Sequence, residues 1–303
     1  MIFTFQRANT CLYDGSLRNS HQLGEPRPRS VVRRSLPVLA IAIVASVAVS
    51  GCSAKRFEPP SGAGQPLPEF TRIFEEATKA CRDVRSLTAE AGLSGRLAGQ
   101  KLRGRLHMGL ADENSMRLEL VAPFGPPGFV LVAQGGEGTL LLPRDNAVVK
   151  AAPTVELIDA LAGLRLSPDE LRAVATGCVA PAAKPTGGQQ YANGLAAIAL
   201  EGDAMAYIDT RGGAGAGSAG GGPRIVAARR AGLFVEYGKP MNGLPRLIRL
   251  VSEPRADLTL DLAQLDLNVT LEPAAFKVDV PADARPLTLE ELRKNGPLGR
   301  TGS

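Results

Sequence analysis

The chain has 303 residues, enough for one large domain or two small ones. Apolar residues make up 44% and aromatics 4%, with no Trp, so a core must be built from Leu, Val, Ala and Ile, while 34 Gly and 23 Pro favour turns and short strands. Of the 35 Lys+Arg and 30 Asp+Glu, residues 1–51 hold six Arg against Asp14 and Glu25, which leaves 29 against 28 and no electrostatic case for nucleic-acid binding.

The first element is an apolar run, Leu36 to Val49, interrupted only by Pro37 and Ser46. It is shorter than the roughly 20 residues of a membrane span and has the length of a signal-peptide core, with Arg33 and Arg34 just before it. It ends in Val49-Ser50-Gly51-Cys52, which resembles the bacterial lipobox, with Val49 in place of the usual Leu. The alternative is a signal-anchor helix with an incidental Cys. The lipobox resemblance implies a leader over 1–51, cleavage after Gly51, and a diacylglycerol and an N-acyl chain on Cys52 as the only attached groups. Ser53 in place of Asp implies sorting to the periplasmic face of the outer membrane. A start near residue 31 would give a leader of usual length.

Residues 52–66 are rich in Pro, Gly and Ser and are expected to be a flexible lipid-anchored tether. A helix follows, with Phe70, Ile73, Phe74, Ala77, Cys81 and Val84 on one stripe. After Ser86 the period changes to two: Leu102, Leu106, Met108 and Leu110 alternate with Lys101, Arg103, Arg105 and His107, and Met116, Leu118 and Leu120 alternate with Arg117 and Glu119. "FVLVAQ", "GTLLLP" and "NAVVKA" complete a meander. Val155–Leu161 and "SPDELRAVATG" read as two helices, the second opened by a Ser167/Glu170 capping box with Pro168 at its first position. Residues 180–189 read as a linker, and 211–223 as a low-complexity loop without the Lys-Ser/Thr of a phosphate-binding loop. Further strands are predicted at about 190–201, 204–210, 224–230, 232–238, 245–253, 256–263 and 265–272, the last placing Leu265, Leu267, Val269 and Leu271 on one face. Thr288 and Glu291 open a short final helix, and 296–303 reads as a disordered tail. The sum is a mainly β (α+β) protein: one strongly curved antiparallel sheet or incomplete β-barrel of about ten or eleven strands over 67–295, with helices packed in its opening.

Candidate chemistry is sparse. His21 falls in the leader, and His107 stands on the polar side of a strand, so no Ser/His/Asp set and no metal-ligand spacing is present in the sequence. The chain is expected not to be an enzyme. Cys81 and Cys178 are left in an oxidising compartment, where they either pair or remain buried thiols.

The stretch "SMRLELVAPFGPPGFVLVAQGGEGTLLLPRDNAVVKA" (115–151), the two helices after it, and the closing "LNVTLEPAAFKVDVPADARPLTL" resemble the outer-membrane lipoprotein receptor LolB and the wider LolA/LolB-like lipoprotein-localisation superfamily. That resemblance implies an incomplete barrel with helices as a lid over an apolar cavity for acyl chains, and an exposed apolar residue in a loop that meets the membrane. The matching position here is Phe124, between Pro123 and Gly125. Prolines stiffen this loop, so Phe124 is either held out towards lipid or folded back onto the core. Leu102, Leu106, Leu118, Leu120, Val130 and Val132 are the expected cavity-lining residues. Two functions follow. One is a monomeric lipoprotein that binds acyl chains for lipid or lipoprotein transfer, receiving cargo from a periplasmic carrier. The other is a structural or interaction lipoprotein with the same fold and a filled interior. The size of the cavity between sheet and helices separates them.

Overall fold

The computed structural model describes residues 56–121, 124–212 and 222–295. The leader, Cys52 and Ser53, Pro123, most of the Gly-rich loop and the 296–303 tail lie outside the described residues.

In chain order the elements are β1 (Gln65–Pro66), α1 (Phe70–Arg82), β2 (Ser86–Leu97), β3 (Gln100–Ala111), β4 (Ser115–Val121), β5 (Phe129–Gln134), β6 (Glu137–Leu142), β7 (Ala147–Pro153), α2 (Thr154–Ala162), α3 (Pro168–Ala175), β8 (Pro185–Gln190), β9 (Leu195–Leu200), β10 (Ala204–Asp209), β11 (Arg224–Arg230), β12 (Leu233–Met241), β13 (Leu244–Ser252), β14 (Ala256–Leu267), β15 (Arg285–Pro286) and α4 (Leu289–Asn295). The strands form one open sheet in the order β1-β8-β9-β10-β11-β12-β13-β14-β2-β3-β4-β5-β6-β7-β15, antiparallel throughout except for the two-residue pairing of β15 with β7. Such an incomplete barrel is the expected fold class. None of the helices among the described residues is long and apolar enough to cross a membrane.

Among the described residues the 15 strands exceed the expected ten or eleven because two edge strands are only two residues long and because the supposed linker holds β8. Pro185–Gln190 has no apolar alternation, but it satisfies the backbone of the otherwise open edge of β9. The predicted strand 265–272 is corrected: β14 runs through a bulge after Leu262 and stops at Leu267. Asn268 turns the chain at φ 52°, so Leu271 folds over the sheet rather than continuing the ladder.

Curvature has a local source in β2. Gly95 sits at φ +140°, where a Cβ would lie 2.1 Å from the Asp257 carbonyl oxygen on β14. Only glycine permits that approach, and such kinks bend a sheet around its contents. The inner face packs on α2, α3 and α4, and its fully buried side chains include Leu87, Leu110, Met116, Leu131, Leu140, Leu157, Leu166 and Leu292. A smaller cluster joins α1 to β9–β11 through Leu67, Ile73, Phe74, Ile198 and Ile208.

After β14 the chain crosses the outer face. A short 3₁₀ turn, Pro273–Phe276, leads to Val278 and Val280, which cover Val130, Val132, Leu141 and Val148. The chain then rounds the β7 edge, and α4 lands on α2. Thr288 and Glu291 form the predicted capping box at the start of α4, with Glu291 N donating to Thr288 Oγ1 at 3.1 Å and Thr288 N to Glu291 Oε2 at 2.8 Å.

Candidate functional site

The strand alternation that sends Lys101, Arg103 and Arg105 outwards sends Leu102 and Leu106 inwards. With Leu93 and Leu97 from β2, Leu118 and Leu120 from β4, Phe129 from β5, Leu250 from β13, and Leu258 and Leu260 from β14, they form the floor of an enclosure. Ile158, Leu161 and Ala162 of α2, Leu164 and Leu166 of the following turn, and Leu171 of α3 form its roof. All 16 lining residues are apolar and 13 are Leu. The volume is about 80 Å³. Liquid water occupies about 30 Å³ per molecule and ligand pockets run to roughly 300–1,000 Å³, so this space holds a few methylenes and no complete acyl chain.

Four of the six expected lining residues, Leu102, Leu106, Leu118 and Leu120, meet in this enclosure. Val130 and Val132 do not: they face the opposite side, beneath Val278 and Val280. "FVLVA" is apolar at every position, because β5 is covered on both faces, so its period says nothing about which face is inner. The pairings Leu118↔Leu131 and Leu120↔Phe129 set the parity and put the odd-numbered residues inside.

The enclosure lies against one edge of the sheet. The turns β2–β3, β4–β5, β6–β7, β11–β12 and β13–β14 all gather there, since consecutive antiparallel strands return to the same end. Phe124, in the β4–β5 loop, is 91% exposed. It therefore projects from that edge rather than folding back. Arg144 Nε donates to the Pro126 carbonyl of the same loop at 3.4 Å, and Arg96, Lys101 and Arg103 are exposed on the β2–β3 hairpin, whose turn opens at the same edge. The chain from the tether arrives at the same edge: the Phe57 ring packs tilted against Tyr207 and Phe234, with centroids 5.1 and 6.2 Å away, Phe57 N donates to Glu236 Oε1 at 3.2 Å, and Arg56 pairs with Asp257 at 3.8 Å. Phe57 and, from Gln65, β1 are thus held on the body, which shortens the free tether expected over 52–66. Arg249, bidentate to Asp257, holds that carboxyl below its ordinary range, with Arg56 adding a smaller pull.

The roof is fastened by charge on its solvent side. Arg255 of the β13–β14 turn, Arg165 of the α2–α3 turn and Arg293 of α4 converge on Asp159 of α2, at 2.8, 3.7 and 3.7 Å. Arg165 and Arg293 also reach Glu156, whose carboxyl they hold below its ordinary range, Arg165 most strongly. α3 carries the predicted capping box, with Glu170 N donating to Ser167 Oγ and Ser167 N donating to Glu170 Oε2, and Glu170 pairs with Arg230 of β11. Arg172 of α3 donates to the Val84 and Arg85 carbonyls and pairs with Asp112. Cys178, just past α3, forms a disulfide with Cys81 at the end of α1, with Cα atoms 5.8 Å apart. Tyr237 of β12 donates to the Cys178 carbonyl at 2.9 Å, and burial pushes its hydroxyl well above the ordinary tyrosine range. None of these arginines was legible as functional in the sequence, because they meet partners between 6 and 137 positions away.

On the outer face, a cleft of about 340 Å³ lies between the β14–β2–β3–β4 surface and the crossing segment, roofed by Leu271, Ala275 and Phe276. His107 lines it, with Nε2 at 3.7 Å from Glu90 Oε1 and both side chains half exposed. Among the described residues no cluster of His, Cys, Asp or Glu has the geometry of a metal site.

No protein-family model matches the chain, and no sequence among the curated proteins matches it. Three solved structures illustrate what it is similar to. A LolA superfamily protein from Nitrosomonas europaea is 11% identical with a TM-score of 0.45, over 68% of this chain and 96% of that one. A putative outer membrane lipoprotein-sorting protein domain from Vibrio parahaemolyticus is 10% identical with a TM-score of 0.43, over 68% and 97%. The lipoprotein LppX from Mycobacterium tuberculosis is 11% identical with a TM-score of 0.30, over 68% and 98%. At such identities and TM-scores the likeness establishes neither kinship nor a shared ligand.

Proposed function

We propose that the protein is a non-catalytic envelope lipoprotein, anchored through Cys52, that takes up an acyl chain between its sheet and the α2–α3 roof for lipid or lipoprotein transfer. The observation that carries this reading is the enclosure with an entirely apolar lining of 16 side chains at the edge from which Phe124 projects. Nothing polar in that lining can pair with a polar ligand, so within the enclosure itself binding is driven by apolar burial, at about 25 cal/mol per Å². Phe57 adds a constraint. If Cys52 carries lipid, the five residues to Phe57 span at most about 18 Å, which brings the Phe124 edge to the bilayer. Basic side chains along that edge favour an anionic lipid surface.

The volume of about 80 Å³ requires α2 and α3 to move outwards before a full chain enters. That same volume favours the second reading, an interaction lipoprotein with a filled interior. Leu161→Trp separates the two. A tryptophan in the enclosure blocks chain entry, so the variant is expected to lose binding of a fluorescent fatty acid that the parent protein binds. Absence of binding by the parent protein, with no lipid found in it by native mass spectrometry, rejects acyl-chain uptake in favour of the filled interior.

A further inference from the structure

A second cavity adjoins the apolar one and has the opposite chemistry. About 200 Å³ lies between the α2–α3 turn and the β11–β12 and β13–β14 turns. Its charged lining consists of Arg165, Arg230 and Arg255 against Asp159 alone. Asp159 is already engaged by Arg165, Arg255 and Arg293. Arg230 is offset by Glu170 and Arg165 by Glu156, both from outside the lining, so Arg165, Arg230, Arg255 and Arg293 face three carboxylates and leave one positive charge in excess; the two most exposed of the four are Arg165 and Arg255. These two are 60% and 43% exposed and can turn donors inwards without first being desolvated. Leu166 lines both cavities, and Gly163 lines this one between Ala162 and Leu164 of the other. A molecule with its chain beneath α2 therefore has its end within reach of two guanidiniums.

We propose that this cavity receives the anionic headgroup, carboxylate or phosphate, of an amphiphile whose acyl chain occupies the leucine enclosure. The inference rests on the acyl-chain reading and narrows its ligand class to anionic amphiphiles. Planar guanidiniums match both oxyanions in a bidentate fashion, and 200 Å³ accommodates such a group with water but not a whole lipid. The arrangement also links binding to opening. Arg165 and Arg255 fasten α2 through Asp159, so an incoming anion competes for the groups that hold the roof down.

The test compares ligands on the full chain after removal of co-purified lipid: 1-oleoyl lysophosphatidate, oleate, monoolein and inorganic phosphate, each by displacement of a fluorescent fatty acid or by calorimetry. Lysophosphatidate and monoolein share a chain and a glycerol and differ in the phosphate. Both anionic amphiphiles are expected to bind at least about tenfold more tightly than monoolein, the effect of one charge-assisted hydrogen bond. Arg165→Gln removes a guanidinium that also pairs with Glu156 and Asp159, so its effect is read as the ratio of lysophosphatidate to monoolein affinity on the same variant, and that ratio is expected to narrow at least about threefold. Equal affinity for monoolein and lysophosphatidate overturns the headgroup site and leaves acyl-chain binding standing. Binding of phosphate as tight as that of lysophosphatidate also overturns it, by showing an anion site that takes no chain. Failure of all three amphiphiles to bind rejects both readings together.

Discussion

Arg255 grips Asp159 twice: its Nη1 donates to the carboxylate at 2.8 Å and its Nη2 to the main-chain carbonyl at 3.1 Å. One residue belongs to a hairpin at the sheet edge and the other to the helix that roofs the interior. The roof is thus pinned by a polar fastening at its rim, while the surface beneath it is purely apolar.

Asp159→Asn tests that fastening. The Asp159 side chain is only 10% exposed, and the substitution removes the charge shared by three arginines, at a cost of about 1–3 kcal/mol. Amide hydrogen exchange in α2 is expected to accelerate while that of the central β2–β3 pairing does not. Equal acceleration in both would show that the roof opens only with the whole domain.

Phe124 is an exposed side chain with no packing role to lose, so Phe124→Asp is expected to leave the melting temperature unchanged. Binding to vesicles containing an anionic lipid should fall at least about tenfold, since burial of a Phe side chain is worth about 1.5–3 kcal/mol. Co-sedimentation of the two proteins with vesicles measures the difference. Unchanged binding removes Phe124 from the membrane contact.

The Cys81–Cys178 bond closes a 97-residue separation, for which chain entropy gives roughly 4–5 kcal/mol. The double Cys→Ser variant, or the reduced protein, is expected to unfold at markedly lower urea concentration. A midpoint insensitive to reductant would mean that the two thiols are not joined in solution.

Tyr237 gives a pH signature. Burial raises its folded-state pKa above the free value of about 10, so its contribution is fully present below that pH. As pH rises further the unfolded state ionises and stability is lost. Tyr237→Phe should flatten this alkaline decline, while costing about 1 kcal/mol at neutral pH for the lost bond to the Cys178 carbonyl. Denaturant midpoints at pH 8 and pH 11 in both proteins decide it.

The sequence by itself determined most of the local structure. Alternation marked the meander from Ser86 onwards, the Ser167/Glu170 and Thr288/Glu291 pairs marked two helix starts, and the polar partners of Leu102, Leu106, Leu118 and Leu120 assigned those four to the inner face. These signals are short-range and are written within a few residues. Tertiary structure alone decided the rest. A strand apolar on both faces takes its parity from its neighbour's register, which is why Val130 and Val132 lie under the crossing segment and not in the enclosure. Pro185–Gln190 is a strand only because β9 needs a partner. Phe57 and the arginines around Asp159 find their partners across long stretches of chain, and no periodicity encodes such distances. The residual volume beneath α2 is a small difference between large packed volumes, and only the assembled core fixes it.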